Sequence, residues 1–473
     1  IYTLSLHDAL PIFGARLVSR DLLPTTREER HISPFEFMVM WVGMSILLAV
    51  FTNAANMFPS LSIKSILCAV VLGNAITCVT LALTGDIGIT HGIPFAVYLR
   101  AIYGYTGTHV PSFVRALPAC FWFGFQTYLG AQAINMILMK LTSWPGTYPY
   151  VLGIIVLFLT VQAITTARGI NAIKNFENLI TPVMFLIVMY LLYWILNRTG
   201  LTATKILETP AGEVQGERYT FGFAVTAMTG FWATMALNIP DLTRYLKCNP
   251  DEPNWLKRNW PSIWPQWIGI IPMMTLFAFI GAAAMLTSGQ WDPIRFIAGL
   301  DAPIWLLIII LFLSAFAQWT TNIGANILPP ANIFVNIFAP KINFGGGCMI
   351  SAILAFIMQP WSIIDKVVSV NALVGIMLGG VVGTMIADYY LLRGRKLNVR
   401  DLYVEDGEYT FFKNWNPIAF IAYITGTLGG MLNMDWGFLQ AGFFGGLTYF
   451  VLMRFWGAKK YKQNTILERF APK

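Results

Sequence analysis

Charge is what this chain has least of. Only 11% of its 473 residues are Asp, Glu, Lys or Arg, while 56% are hydrophobic and the mean hydropathy is +0.62. Soluble domains carry about 25% charged residues, so this chain has too little polar surface to face water on every side. Cysteine is scarce as well. Cys68, Cys78, Cys120, Cys248 and Cys348 are odd in number, form no CxxC pair, and lie mostly in or beside apolar runs. They read as small buried thiols, without a disulfide framework or a thiolate metal site. Clustered basic residues on a soluble domain are missing too, which excludes a nucleic-acid surface despite the net charge of +8.

What the chain has in abundance is long apolar runs. They fall at about 35–58, 61–84, 112–138, 149–166, 177–196, 219–240, 263–287, 302–328, 346–361, 367–391, 415–434 and 436–456. In lipid the backbone must satisfy its own hydrogen bonds, and these runs are too long and too evenly apolar for barrel strands. The expected fold class is an all-α integral membrane protein with about 12 transmembrane helices. Residues 35–456 form one transmembrane domain, between a cytoplasmic segment 13–34 and a cytoplasmic tail 457–473. "YTLSLHDALPI" (Tyr2–Ile12) reads like a translated frame of a sequencing adapter. Residues 1–12 are therefore expected to be an artefact, with the true N-terminus missing; an ordinary cytoplasmic tail is the alternative.

Most of the 31 basic residues fall on the side that holds both termini, among them Arg100, Arg115, Arg244, Arg393 and Lys460. The positive-inside rule makes that side cytoplasmic and places the chain in the cell (inner or plasma) membrane. No ionisable residue falls near the middle of a span. Glu36, Glu177, Asp241 and Asp388 lie at expected helix ends, where a charge reaches water or headgroups. Intramembrane charges mark proton relays and charged-substrate sites, so their absence points to a neutral polar cargo. It also argues against an intramembrane protease.

Interior polarity comes from neutral groups in four places. These are "WVGMSILLAVFTNAAN" in the first span, "FWFGFQTYLGAQAIN" in the third, "TAMTGFWATMALNIPD" in the sixth and "FAQWTTNIGANIL" in the eighth. Gly and Pro in such spans permit local unwinding that exposes carbonyls to a cation, and Thr adds hydroxyl ligands. Trp offers a face for a planar ring, while Gln and Asn present both donor and acceptor. Trp122 and Gln126 share a helix face, as do Asn322 and Asn326, whereas Thr320 and Thr321 diverge by about 100°. Packing glue between helices is the alternative for any one of these residues.

Several motifs in order carry a family resemblance. "GIPFAVYLRAIYGYTGTHVP", "FWFGFQTYLG", "WTTNIGANILPP" and "GTMIADYYLLRGRKLNVRDLYVEDGEYTFFKNWN" resemble the nucleobase–cation symport family, closest to its hydantoin-permease branch. The resemblance implies a LeuT-like fold, a 5+5 inverted repeat plus two C-terminal helices, in which spans 1, 2, 6 and 7 rock against 3, 4, 8 and 9. It implies that Trp122 and Trp232 sandwich a planar ring and that Gln126 and Asn326 bond its amide edge. Phe231 stands where that branch has glycine and Leu47 where it has glutamine, and both belong to the implied substrate set. For a cation it implies the carbonyls of Gly43, Ile46 and Ala317 with the hydroxyls of Thr320 and Thr321, a set that suits Na⁺; H⁺ is the alternative. The implied function is symport of a uracil-, allantoin-, hydantoin- or cytosine-type ring by a monomer in the lipid bilayer, with no cofactor and no nucleic-acid partner. The alternative is a LeuT-like symporter of another small solute, such as a vitamin pyrimidine or an amino acid. A channel or a membrane-embedded enzyme is a remoter reading. "GIPFAVYLRAIYG" is expected to be an interfacial helix, with Arg100 anchored to headgroups or capping a helix end.

Overall fold

The computed structural model describes residues 22–168, 182, 185–197, 200–214, 218–338, 341–404 and 406–471. The adapter-like residues 1–12, Glu177 and the first turn of the fifth span lie outside the described residues.

Helices start where the sequence supplies caps. Ser33 and Glu36 form a capping box ahead of Pro34 and open α1 (Pro34–Ser45), which continues after a break as α2 (Leu48–Met57). Ser62 caps α3 (Ile63–His91), and Gly92, in the left-handed region at φ 68°, ends it. After α4 (Phe95–Tyr103) come α5 (His109–Leu141), α6 (Tyr148–Ala167), α7 (Phe185–Asn197) and the short α8 (Ala203–Leu207). Thr220 caps α9 (Phe221–Thr243) and Asn254 caps α10 (Trp255–Ser288). The chain continues through α11 (Pro293–Ala298) into α12 (Ile304–Asn322), a π-helical turn at Ile323–Ile327, and α13 (Leu328–Phe338). It ends with α14 (Phe344–Met358), α15 (Val367–Ile386), α16 (Pro417–Leu432), α17 (Gly437–Leu452), α18 (Ala458–Lys460) and α19 (Asn464–Arg469).

Among the described residues, seven helical segments are long and apolar enough to cross a bilayer, and the bent α1–α2 pair is an eighth. The 33-residue α5 and the shorter apolar α7, α14 and α16 fall at the other four expected runs, in the expected order. Large apolar side chains such as Leu157, Phe312 and Leu432 lie exposed on the outer surface, as lipid-facing helices require.

The helices pack in two groups. In one, α9 packs on α3, and α10 packs on α1, α2 and α3. Thr229 and Thr243 of α9 donate to the Gly73 and Gly85 carbonyls at 3.2 and 2.8 Å, and Thr84 of α3 donates to Ala236 at 2.6 Å. In the other group, α5 packs on α6, α12, α13 and α14. Asn322 is its hub, donating to the Phe123 carbonyl, Thr127 and Gln162 at 3.0–3.3 Å. α15 lies against α9 and carries α16 and α17 on its other side.

The structure corrects several expectations. α3 runs seven residues beyond the expected end of the second span, and this brings Asp86 inside a membrane helix. There Arg258 of α10 grips it through two nitrogens and Asn259 donates at 2.8 Å. Asp388 does not reach water: it is wholly buried, held by Arg393 at 2.9 Å, Tyr98 at 3.0 Å and Tyr449 at 3.1 Å. Helix α4 is covered by protein, since all nine residues are buried, and Arg100 does not meet headgroups: it donates to the Leu402 carbonyl at 3.0 Å in the 3₁₀ turn Arg400–Tyr403, the helix-end role that was the other expectation for it. A buried charge must be paired or bonded, and the distant chain segments that supply those partners were invisible to a local reading.

Candidate functional site

Gly and Pro permit local unwinding in the polar clusters, and it occurs at two of the four. The first span breaks at Ile46 (φ −79°, ψ 76°) and Leu47, which is extended, and the chain bends by 51° there. Gly43 and Ser45 precede the break, the small-residue pairing that commonly accompanies kinks. The eighth span loosens into the π-turn that carries Gly324 and Asn326. The third and sixth spans run through unbroken. Their glycines serve close packing: a Cβ on Gly230 would lie 1.9 Å from the Asn371 carbonyl oxygen, and one on Gly124 2.7 Å from that of Ala355.

Both loosened stretches face one small cavity. It is lined by Leu47 at the break, Trp122 and Gln126 of α5, Phe231, Trp232, Thr234 and Met235 of α9, and Thr321, Ala325 and Asn326 of the eighth span. These positions fall near the middle of their helices, and they come from both packing groups, so the cavity sits between the two. Every residue lining it is neutral. Its volume is about 20 Å³, little more than a water molecule needs, whereas small-molecule pockets run to about 300–1,000 Å³. Phe231 takes up part of the space. Its ring lies 4.8 Å from Trp122 and 5.5 Å from Trp232, centroid to centroid, and Trp41 closes on the far side of Trp232 at 5.6 Å.

Two residues that line this cavity carry polar atoms without a partner. The Gln126 Oε1 acceptor and the Trp232 Nε1 donor are buried without a hydrogen-bond partner. Asn326 donates to Asn322 Oδ1 at 2.9 Å and is thereby tied to the hub of the second packing group. An unsatisfied buried group costs about 1–3 kcal/mol, so a ligand that bonds both Gln126 and Trp232 recovers that cost.

All six residues expected to touch substrate (Leu47, Trp122, Gln126, Phe231, Trp232, Asn326) line the cavity, and of the expected cation ligands only Thr321 does. Thr320 points elsewhere and donates to the Ala317 carbonyl at 3.2 Å. The Gly43 carbonyl accepts from the Ile46 amide at 3.3 Å across the break. Other polar residues of the four clusters are helix glue: Thr127, Thr229 and Asn322 as above, with Asn53 accepting from Asn371 at 2.8 Å, whereas Gln132 donates within α5 to Tyr128 at 2.8 Å. Met235 and Ala325 were missed as lining residues, although each lies four residues beyond another lining residue, Phe231 and Thr321. Apolar side chains carry no composition signal, and only the helical register could have found them.

A helical membrane protein with a broken helix facing a neutral central cavity between two helix groups has the build of a LeuT-like transporter, and the comparisons agree. Residues 24–452 match the family described as permeases for cytosine/purines, uracil, thiamine and allantoin. The chain belongs to this nucleobase–cation symport family and is a multi-pass membrane transporter, not an enzyme. It is 30% identical to the hydantoin permease of Microbacterium maritypicum, over 96% of this chain and 92% of that one. It is 31% identical to the allantoin permease of Bacillus subtilis (strain 168), over 89% and 88%. The inward-facing conformation of Mhp1 superposes with a TM-score of 0.87 at 30% identity, covering 95% of this chain and 96% of Mhp1. Mhp1 in a closed conformation with bromovinylhydantoin bound gives 0.85 at 29% identity, covering 94% and 96%.

Proposed function

We propose that this transporter imports a neutral planar ring of the uracil, allantoin, hydantoin or cytosine type by cation symport, with Na⁺ favoured over H⁺. The observation that carries the reading is the cavity. Two indoles offer apolar faces, and an unpaired acceptor (Gln126 Oε1) and donor (Trp232 Nε1) suit the amide edge of a cyclic imide or ureide. Ring-shaped cargo also agrees with the named substrates of the hydantoin and allantoin permeases.

The cavity lies between the α1–α2–α3–α9–α10 group and the α5–α6–α12–α13–α14 group. Rocking of one group against the other would expose it to each side in turn. A cation would be held by the carbonyls of Gly43, Ile46 and Ala317 and the hydroxyls of Thr320 and Thr321. This set is neutral and entirely oxygen, which suits a hard cation. Leu47 and Thr321 line the same cavity, which supports a cation held between the helix break and the eighth span. Na⁺ couples to the ring only if it binds more tightly to the state that binds the ring. Both termini face the cytoplasm, across the cell membrane, and the unit is a monomer.

Intrinsic tryptophan fluorescence of the purified protein tests this directly. Uracil, cytosine, allantoin, a hydantoin and a vitamin pyrimidine are titrated with and without Na⁺. A ring that binds and tightens in Na⁺ supports the reading. Binding indifferent to Na⁺ removes the cation site, and no binding across the panel removes the substrate class.

A further inference from the structure

Away from the central cavity, α3, α15 and α17 enclose a second space of about 600 Å³, almost wholly apolar. Val79 and Leu83, Leu391, and Phe443, Leu447 and Phe450 form its walls. Helices α15 and α17 meet there through glycine: a Cβ on Gly383 would lie 2.0 Å from the Gly442 carbonyl oxygen. With no side chains between them the two backbones touch, and a furrow remains along the outside. Val79, Leu391, Phe443 and Leu447 are exposed, so the furrow opens to the bilayer. Along α17 it runs from Phe438 to Phe450, about 18 Å at 1.5 Å per residue, which is the depth of roughly one leaflet.

One end of this furrow is basic. Arg469 donates to the Tyr390 carbonyl at 2.7 Å, one residue from Leu391 in the wall. Arg454 follows Phe450 by four residues. The two guanidinium groups share the Phe470 ring, at 3.9 Å for Arg454 and 5.7 Å for Arg469. Neither forms a salt bridge with a carboxylate among the described residues. Beside them Phe455 and Trp456 are 71% and 50% exposed, and Lys460 lies over the Trp456 ring at 4.2 Å. Exposed aromatics with adjacent lysine mark the membrane–water interface, so the arginine pair lies at headgroup depth.

We propose that this furrow holds one anionic phospholipid of the leaflet on the side of the chain termini, an acyl chain between α3, α15 and α17 and the phosphate on Arg454 and Arg469. The apolar length suits one chain, and the unpaired positive end selects an anionic headgroup. Because α3 belongs to the substrate-facing group while α17 is peripheral, the lipid would bridge the two.

Native mass spectrometry of the full chain in detergent, with dioleoylphosphatidylglycerol or dioleoylphosphatidylcholine added at equal concentration, tests the site. Each arginine near an anionic headgroup contributes about fivefold, so the pair should favour phosphatidylglycerol by about 30-fold. The double variant R454Q/R469Q should lose that preference while still binding both lipids, and each single variant should lose part of it. Val79→Trp, which fills the furrow from its exposed wall, should weaken both lipids. Equal retention of the two lipids by the unaltered chain would overturn the proposal. So would an undiminished preference in both single variants, or a Val79→Trp variant that loses a dimer instead of a lipid.

Discussion

Phe231 makes a quantitative case. Its ring is 5% exposed and packs on two indoles, 4.8 and 5.5 Å away, and it leaves a cavity of about 20 Å³. A planar ring can stack on Trp122 only after Phe231 has turned aside. Each aromatic pair contributes about 0.5–1.5 kcal/mol beyond area burial, so breaking two costs about 1–3 kcal/mol. That corresponds to about 5- to 150-fold in affinity, a standing penalty on a state that must open before it binds. Phe231→Ala removes the ring and the penalty together. Truncating a buried Phe also costs about 3–5 kcal/mol of stability, part of which a ligand filling the hole restores. The expected outcome is a lower thermal midpoint in detergent without ligand and a larger ligand-induced rise. Affinity for planar rings should be about 30-fold tighter, the middle of that range, read by tryptophan fluorescence. Weaker binding of every ring by a folded Phe231→Ala protein would refute the reasoning, because Phe231 would then hold the ligand instead of yielding to it.

Other outcomes follow from the same geometry. Trp122→Ala should weaken ring binding by about 5- to 150-fold, with stacking worth about 1–3 kcal/mol by analogy with bases on aromatic side chains; unchanged affinity would end the stacking claim. Thr321→Ala should weaken ring binding in Na⁺ buffer by about tenfold, the loss of one ligand to a coupling ion, and leave Na⁺-free binding unaltered. Equal weakening in both buffers would make Thr321 a substrate contact alone. Asp86→Asn strands Arg258 beside a neutral amide, and breaking a buried pair costs about 3–5 kcal/mol. A thermal midpoint in detergent that stays at the unaltered protein's value would show that Asn259 and the Glu252 carbonyl, which accepts from Arg258 at 2.8 Å, suffice.

Much of the site could be read because its polar residues stand out in an apolar background. Gln126, Thr321 and Asn326 are conspicuous within otherwise apolar runs, and all three line the cavity. The same criterion also selected Thr127, Thr229, Asn53 and Asn322, which tie helices together. A polar side chain in a membrane helix must be satisfied by something, and sequence does not say whether that is a neighbouring helix or a ligand. Apolar lining residues had no such signal. Met235 and Ala325 emerged only once α9 and the π-turn fixed which faces meet.

The sequence by itself determined that the chain crosses the membrane about twelve times, because the length and apolarity of a run are local properties and the bilayer sets the same demand on each. Its motifs determined the family. Tertiary structure alone decided where the charges go and how large the site is. Asp86 and Arg258 stand 172 residues apart and meet in the interior. The volume of the cavity depends on where the Phe231 ring rests between elements distant in sequence. Pairing and cavity volume are set by side chains converging from separate helices, and a pattern along one helix does not contain them.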